Sequence, residues 1–152
     1  MNKSLAEFIS TVGYVGRFPV APGTAGSLVG LLFVVLWHVI LKISLGWTLA
    51  VIFLLTWLGT LSSEAYAKST GVEDPSEVVI DEFVGQWIAL LLVPPHWGFW
   101  LAAFVLFRMF DIWKPLWIDS IQAWPGGWGV MADDILAGIA TFILIQLYTV
   151  IL

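Results

Sequence analysis

Two adjacent carboxylates, Asp81 and Glu82, open the otherwise apolar run "VVIDEFVGQWIALLLV" at 78–93. Asp133 and Asp134 precede the apolar run that ends the chain, and Asp111 stands in "FRMFDIWKPLWID" at 107–119. Each acid taken alone reads as an N-cap or an interfacial charge, because Asp and Glu favour helix N-termini. Asp111 resists that reading, since it falls at the C-terminal end of its helical run, where the helix dipole disfavours an anion. Carboxylates that converge also repel, by about 4 kcal/mol for two charges ~4 Å apart at an effective dielectric near 20. The offset must come from shared protons, from Arg108 and Lys114, or from a bound metal. The chain has no Cys, and its two His lie away from the acids, so the available ligands are hard oxygens. Such a set favours Mg²⁺ over Zn²⁺.

Around Asp111 the spacing is regular. Arg108 and Lys114 each lie three residues from it, so all three share a helical face. A local ladder of salt bridges is one reading; an acid on a metal with two cations on a phosphate is the other. Glycine-rich stretches, "PVAPGTAGSLVG" at 19–30 and "WPGGWGVMADD" at 124–134, lead into apolar runs. Loops of this kind expose backbone N–H groups and hydroxyls to phosphate oxygens, with Gly23, Thr24, Ser27 and Gly127 as the candidates here. They also mark ordinary turns, and no Gly-Lys-Ser/Thr of a Walker A motif follows.

The elements that must position these groups are membrane helices. Hydrophobic residues make up 60% of the 152 and charged residues 11%, and the mean hydropathy is +0.95. Soluble domains average roughly 45–50% apolar and about 25% charged. Uncharged runs at Val20–Leu41, Ile43–Ser63 and Ile135–Leu152 are each long enough to cross a bilayer. The run from Phe83 to Phe107 is broken by Pro94 and Pro95, which predicts a hairpin of helices at about 79–93 and 97–113. Near the N-terminus, Leu5, Phe8, Ile9 and Val12 recur at helical spacing, predicting a short amphipathic helix on the membrane surface. The expectation is a single all-α, polytopic membrane domain over 1–152, a bundle of five main helices plus that interfacial helix. Glycines tell how it closes: Gly85 follows Asp81 and Gly138 follows Asp134, each four residues on, with Gly26 and Gly30 in the first span. Small residues let membrane helices approach closely, which brings the acidic ends together.

If the chain crosses at every span, Lys3, Arg17, Lys68, Arg108 and Lys114 share one face and only Lys42 lies on the other. The positive-inside rule makes the first face cytoplasmic, and all eleven acids lie on it. His38 and His96 fall on or towards the opposite face. A net charge of −5 argues against a nucleic-acid partner. The small-xxx-small patterns permit a homo-oligomer without requiring one.

At these residues the sequence resembles the phosphatidylglycerophosphatase A family. The matching blocks are "PVAPGTAGSL", "VVIDEFVGQW", "FRMFDIWKP" and "GGWGVMADDILAG", in that order over about 19–138. The resemblance implies a multi-pass, Mg²⁺-dependent lipid phosphatase of the bacterial inner membrane, with its active site facing the cytoplasm. Its substrate would be phosphatidylglycerophosphate, cleaved to phosphatidylglycerol and phosphate. The motif acids map onto Asp81, Glu82, Asp111, Asp133 and Asp134 as metal ligands and catalytic groups, and the motif cations onto Arg108 and Lys114. Glu64 falls in a linker outside the four blocks. Water, or one of the aspartates, would be the nucleophile. A competing reading makes the same acids the ion site of a small transporter or cation channel.

Overall fold

The computed structural model describes residues 1–114 and 124–151, and all regular structure among them is helical. Pro115 and Asp119, the proline and the last acid of the 107–119 stretch, lie outside the described residues. Among the described residues six α-helices follow in order: α1 (Lys3–Ser10), α2 (Pro22–Val34), α3 (Leu45–Thr70), α4 (Ile80–Ala89), α5 (Trp97–Trp113) and α6 (Gly127–Ile151). A π-helical stretch, Val35–Ile40, prolongs α2. Among the described residues, three helical stretches are long and apolar enough to cross a membrane: Pro22–Ile40, Leu45–Thr70 and Gly127–Ile151.

Local chemistry explains most of the boundaries. The side chain of Asn2 caps α1 by accepting from the Ser4 N–H, and Leu5 and Phe8 point out from that helix into the surroundings. Pro22 occupies the first turn of α2, where its missing N–H costs nothing. Gly71, at φ +76°, ends α3 in the left-handed conformation that glycine adopts without a Cβ penalty. His96 caps α5, accepting from the Gly98 N–H at 3.2 Å.

Two helices run further than the apolar pattern alone predicts. The α3 helix continues past Ser63 to Thr70, with Glu64 and Lys68 paired one turn apart at 2.5 Å. The last helix begins at Gly127 instead of Ile135. Gly127 and Gly129 are therefore helical and not part of a loop, and Asp133 and Asp134 sit in the second turn of α6. Packing decides this. A Cβ on Gly127 would lie 2.0 Å from the Thr60 carbonyl oxygen of α3, so only glycine lets the two helices meet there.

Helix α4 is the hub. Every residue from Ile80 to Ala89 is buried except Glu82, which is nearly so. Lipid tails are as apolar as leucine, so no hydrophobic force drives these helices together; close van der Waals packing does. The contacts are made at glycines. A Cβ on Gly138 of α6 would lie 2.4 Å from the Gly85 carbonyl oxygen of α4, and one on Gly30 of α2 would lie 2.9 Å from that of Phe83. Farther along, Phe33, Trp37, Phe83 and Trp87 interlock with ring centroids 5.0–6.0 Å apart.

Candidate active site

The start of α4, the end of α5 and the second turn of α6 meet at one end of the bundle. Asp81 and Glu82 occupy the first turn of α4, where no side chain caps the free amides and the dipole favours negative charge. The Val79 N–H, just before them, donates to the Ser10 carbonyl at 2.9 Å, tying this end of α4 to α1. The glycine crossing of α4 with α6 sets Asp134 opposite. Asp81, Glu82 and Asp134 each offer a carboxylate oxygen, all within 4.8 Å of one another.

Each of these three acids has one oxygen without a hydrogen-bond partner. Asp81 Oδ1, Glu82 Oε2 and Asp134 Oδ1 are buried and accept no hydrogen bond. Buried carboxylates in such a state carry both the desolvation penalty and their mutual repulsion. Three hard oxygens at this separation fit a hard divalent cation, which would answer both costs at once.

The other two acids of the expected ligand set stand beside the cluster, each engaged by a cation. Asp111 forms an ion pair with Arg108 one turn back on α5, and its carboxyl also faces Asp134. Asp133 Oδ2 accepts from Lys114 Nζ at 2.6 Å, while its Oδ1 accepts from the Asp134 N–H at 3.0 Å. Burial works against the Lys114 ammonium, but the hydrogen bond to Asp133 and the nearby charges of Asp133, Asp134 and Asp111 outweigh it, and its pKa is raised. Lys114 therefore stays charged across the neutral range. The five acids form an inner group of three and an outer pair, each of the pair already neutralised.

Arg108 links the cluster to α2. Its Nη1 lies 3.8 Å from Glu82 Oε1 and donates to Ser27 Oγ at 3.3 Å, and Ser27 in turn donates to the Gly23 carbonyl at 2.9 Å. Gly23 makes room: a Cβ there would lie 2.0 Å from Glu82 Oε1. Of the glycine-rich candidates, Gly23 and Ser27 thus border the acids, and Thr24 sits in the same turn of α2. Gly127 packs on Thr60 instead. Glu64 also lies apart, beside Gly126 and Lys68. It lines a cavity of about 710 Å³ between the end of α3 and the start of α6, which none of the five acids borders.

One residue passed over in the sequence sits against this site. Gln86 is fully buried one turn beyond Glu82, and both ends of its amide are unpartnered. An amide inside the run "FVGQWIALLLV", four residues after an acid, was the available signal.

Helices fit for a membrane, a buried trio of carboxylates and flanking Arg and Lys are parts that an integral-membrane enzyme acting on a phosphoester would need. The profile described as Phosphatidylglycerophosphatase A matches residues 8–149, and the chain belongs to that family of enzymes. A Bacteroides thetaiotaomicron protein provisionally named a phosphatidylinositol-3-phosphatase is 46% identical over 135 residues, covering 86% of this chain and 84% of its own. The phosphatidylglycerophosphatase A of Escherichia coli is 41% identical over 130 residues, covering 82% of this chain and 72% of its own. That of Haemophilus influenzae is 41% identical over 129 residues, with 82% and 77% covered. No solved structure matches the chain significantly.

Proposed function

We propose that this protein removes the terminal phosphate of phosphatidylglycerophosphate, yielding phosphatidylglycerol and inorganic phosphate, with Mg²⁺ and at the cytoplasmic face of a bacterial inner membrane. The observation that carries the reading is the trio Asp81, Glu82 and Asp134 with unpartnered oxygens, in a chain of this family. Those three would hold Mg²⁺, which when bound supplies Lewis acidity and offsets their repulsion. Arg108 and Lys114 balance the charge that grows on the phosphoryl oxygens. The water oxygen bonds to phosphorus as the bond to the glycerol oxygen breaks. One water proton passes to a carboxylate of the cluster, and the leaving alkoxide takes a proton back, so the acids end as they began. The bias of Lys and Arg towards the acidic end supports a cytoplasmic site.

A second substrate has one observation behind it, the name of the 46% identical relative. The monoester of phosphatidylinositol 3-phosphate sits on an inositol ring in place of glycerol, so the two lipids should be assayed side by side. Detergent-purified protein should release phosphate from phosphatidylglycerophosphate with Mg²⁺, stop in excess EDTA and resume when Mg²⁺ is restored. Release that continues in EDTA would remove the metal from the reading. Faster release from the inositol lipid would move the substrate. Folded protein inert on both lipids would return the acids to the ion-pathway reading, for which substrate-independent ion flux in liposomes is the assay.

A further inference from the structure

Helix α2 presents Gly23, Ser27 and Gly30 along one face, at steps of four and three residues. That face lies against α4. Its upper end meets Glu82 at Gly23, and at its lower end a Cβ on Gly30 would come within 3.4 Å of Gln86 Cβ. Glu82 and Gln86, four apart, stack on the same side of α4. A narrow polar strip results, with Ser27 on one wall, Glu82 and Gln86 on the other and Arg108 Nη1 bonded to the Ser27 hydroxyl.

Gln86 closes the deep end of that strip. It is 0% exposed, and neither its Nε2 nor its Oε1 has a partner. A residue kept only for packing at such a depth would be apolar, because a buried amide without partners is costly. One turn away Glu82 Oε2 is also buried and unpartnered, and it can only accept, while Gln86 Nε2 can only donate. The two atoms are not bonded to each other here, and we propose that Gln86 is a positioning residue for Glu82, a rotation of its amide onto that oxygen holding the carboxylate in the orientation that a divalent cation requires. The inference rests on the phosphatase reading of the cluster for its activity arm alone. Ligands of a metal are ordinarily fixed by a hydrogen bond from a neighbouring group, and losing that bond weakens metal binding about 10–100-fold.

The test is Gln86→Met, which keeps length and volume and removes the amide, measured on the full chain in detergent. In EDTA the variant should melt at or above the wild-type temperature, since an unsatisfied buried group has gone. The rise in melting temperature on adding Mg²⁺ should shrink. The Mg²⁺ concentration for half-maximal phosphate release should increase by at least about tenfold. A half-maximal concentration within about twofold of wild type would overturn the proposal. So would a lower melting temperature in EDTA with the Mg²⁺-induced rise intact, which is the signature of packing alone, and so would a wild type whose melting ignores Mg²⁺. Should the Met variant fail to fold, Gln86→Leu carries the same comparison. A wild type that binds Mg²⁺ but releases no phosphate would refute the phosphatase reading, and the melting measurements would still decide the role of Gln86.

Discussion

The two ends of this bundle are built on different terms. At the end holding α4's first turn, helices cross on glycine backbones and enclose three carboxylates, an arginine and an amide that each carry at least one buried, unpartnered polar atom. At the opposite end, Trp37 stacks on Phe33, its Nε1 donates to Thr48 Oγ1 at 3.1 Å, and Gln146 Nε2 donates to the Leu91 and Leu92 carbonyls at 3.2 and 3.3 Å. Among the described residues of this end, His38 Nε2 and Trp87 Nε1 are buried without a partner. More buried polar atoms lack a partner at the acidic end than at the other, which concentrates the cost where a ligand can offset it. On the proposed function, the acidic end reacts and the other end holds the frame.

The sharpest way to test that contrast is Asp81→Asn. Phosphate release should fall by about 10³-fold or more, the scale seen when a group acting on the transition-state charge is removed. Stability should move the other way. One fewer negative charge among three crowded acids relieves repulsion of about 4 kcal/mol per close pair at an effective dielectric near 20, so the variant should melt in EDTA no lower than wild type. Near-full activity would sink the assignment of Asp81, and a collapse of stability would make the acid a structural member.

Gly138→Ala comes next in size and probes how the site is framed. The added methyl meets the Gly85 carbonyl oxygen at 2.4 Å, and backbone cannot swing aside as a side chain can. Overpacking of this kind costs about 1–3 kcal/mol, and α6 must shift to relieve it. Asp134 moves with α6, and a displacement of about 1 Å is worth on the order of 10²-fold in rate. Melting temperature and activity should therefore fall together, in contrast to Asp81→Asn, where they part. Wild-type activity in this variant would show that the crossing does not position Asp134.

How much of this was legible in the sequence follows from what each signal encodes. Glycines four residues beyond Asp81 and Asp134 announced the crossing of α4 and α6, because spacing on one helix survives folding unchanged. The start of α6 was hidden. Gly126, Gly127 and Gly129 argue for a loop, each glycine costing a helix about 1 kcal/mol, and only the approach to Thr60 overrides that preference. The end of α3 was hidden for a related reason: hydropathy reports where the apolar zone stops, whereas the helix runs on to Gly71. The division of the acids was equally out of reach. Arg108 and Asp111 are neighbours by spacing, but the bond of Lys114 to Asp133 crosses from α5 to α6, and no period along one helix encodes it.

The smallest effect belongs to the distal end, and it is the one that can break the contrast outright. Gln146→Leu removes the donor that α6 offers to the carbonyls of Leu91 and Leu92, in the turn after α4 where Leu92 adopts φ +55°. Removing one donor from a hydrogen-bonded group costs about 0.5–1.5 kcal/mol, so melting should drop by a few degrees. Gln146 lies twelve residues along α6 from Asp134, about 18 Å at 1.5 Å per residue, and touches none of the acids. Helices locked at Gly85 and Gly138 should hold the cluster in place while the far turn loosens, leaving phosphate release within about twofold of wild type. A tenfold loss of activity for so small a loss of stability would mean that the far turn sets the register of α4 against α6. The two ends would then be one device, with the frame taking part in the chemistry.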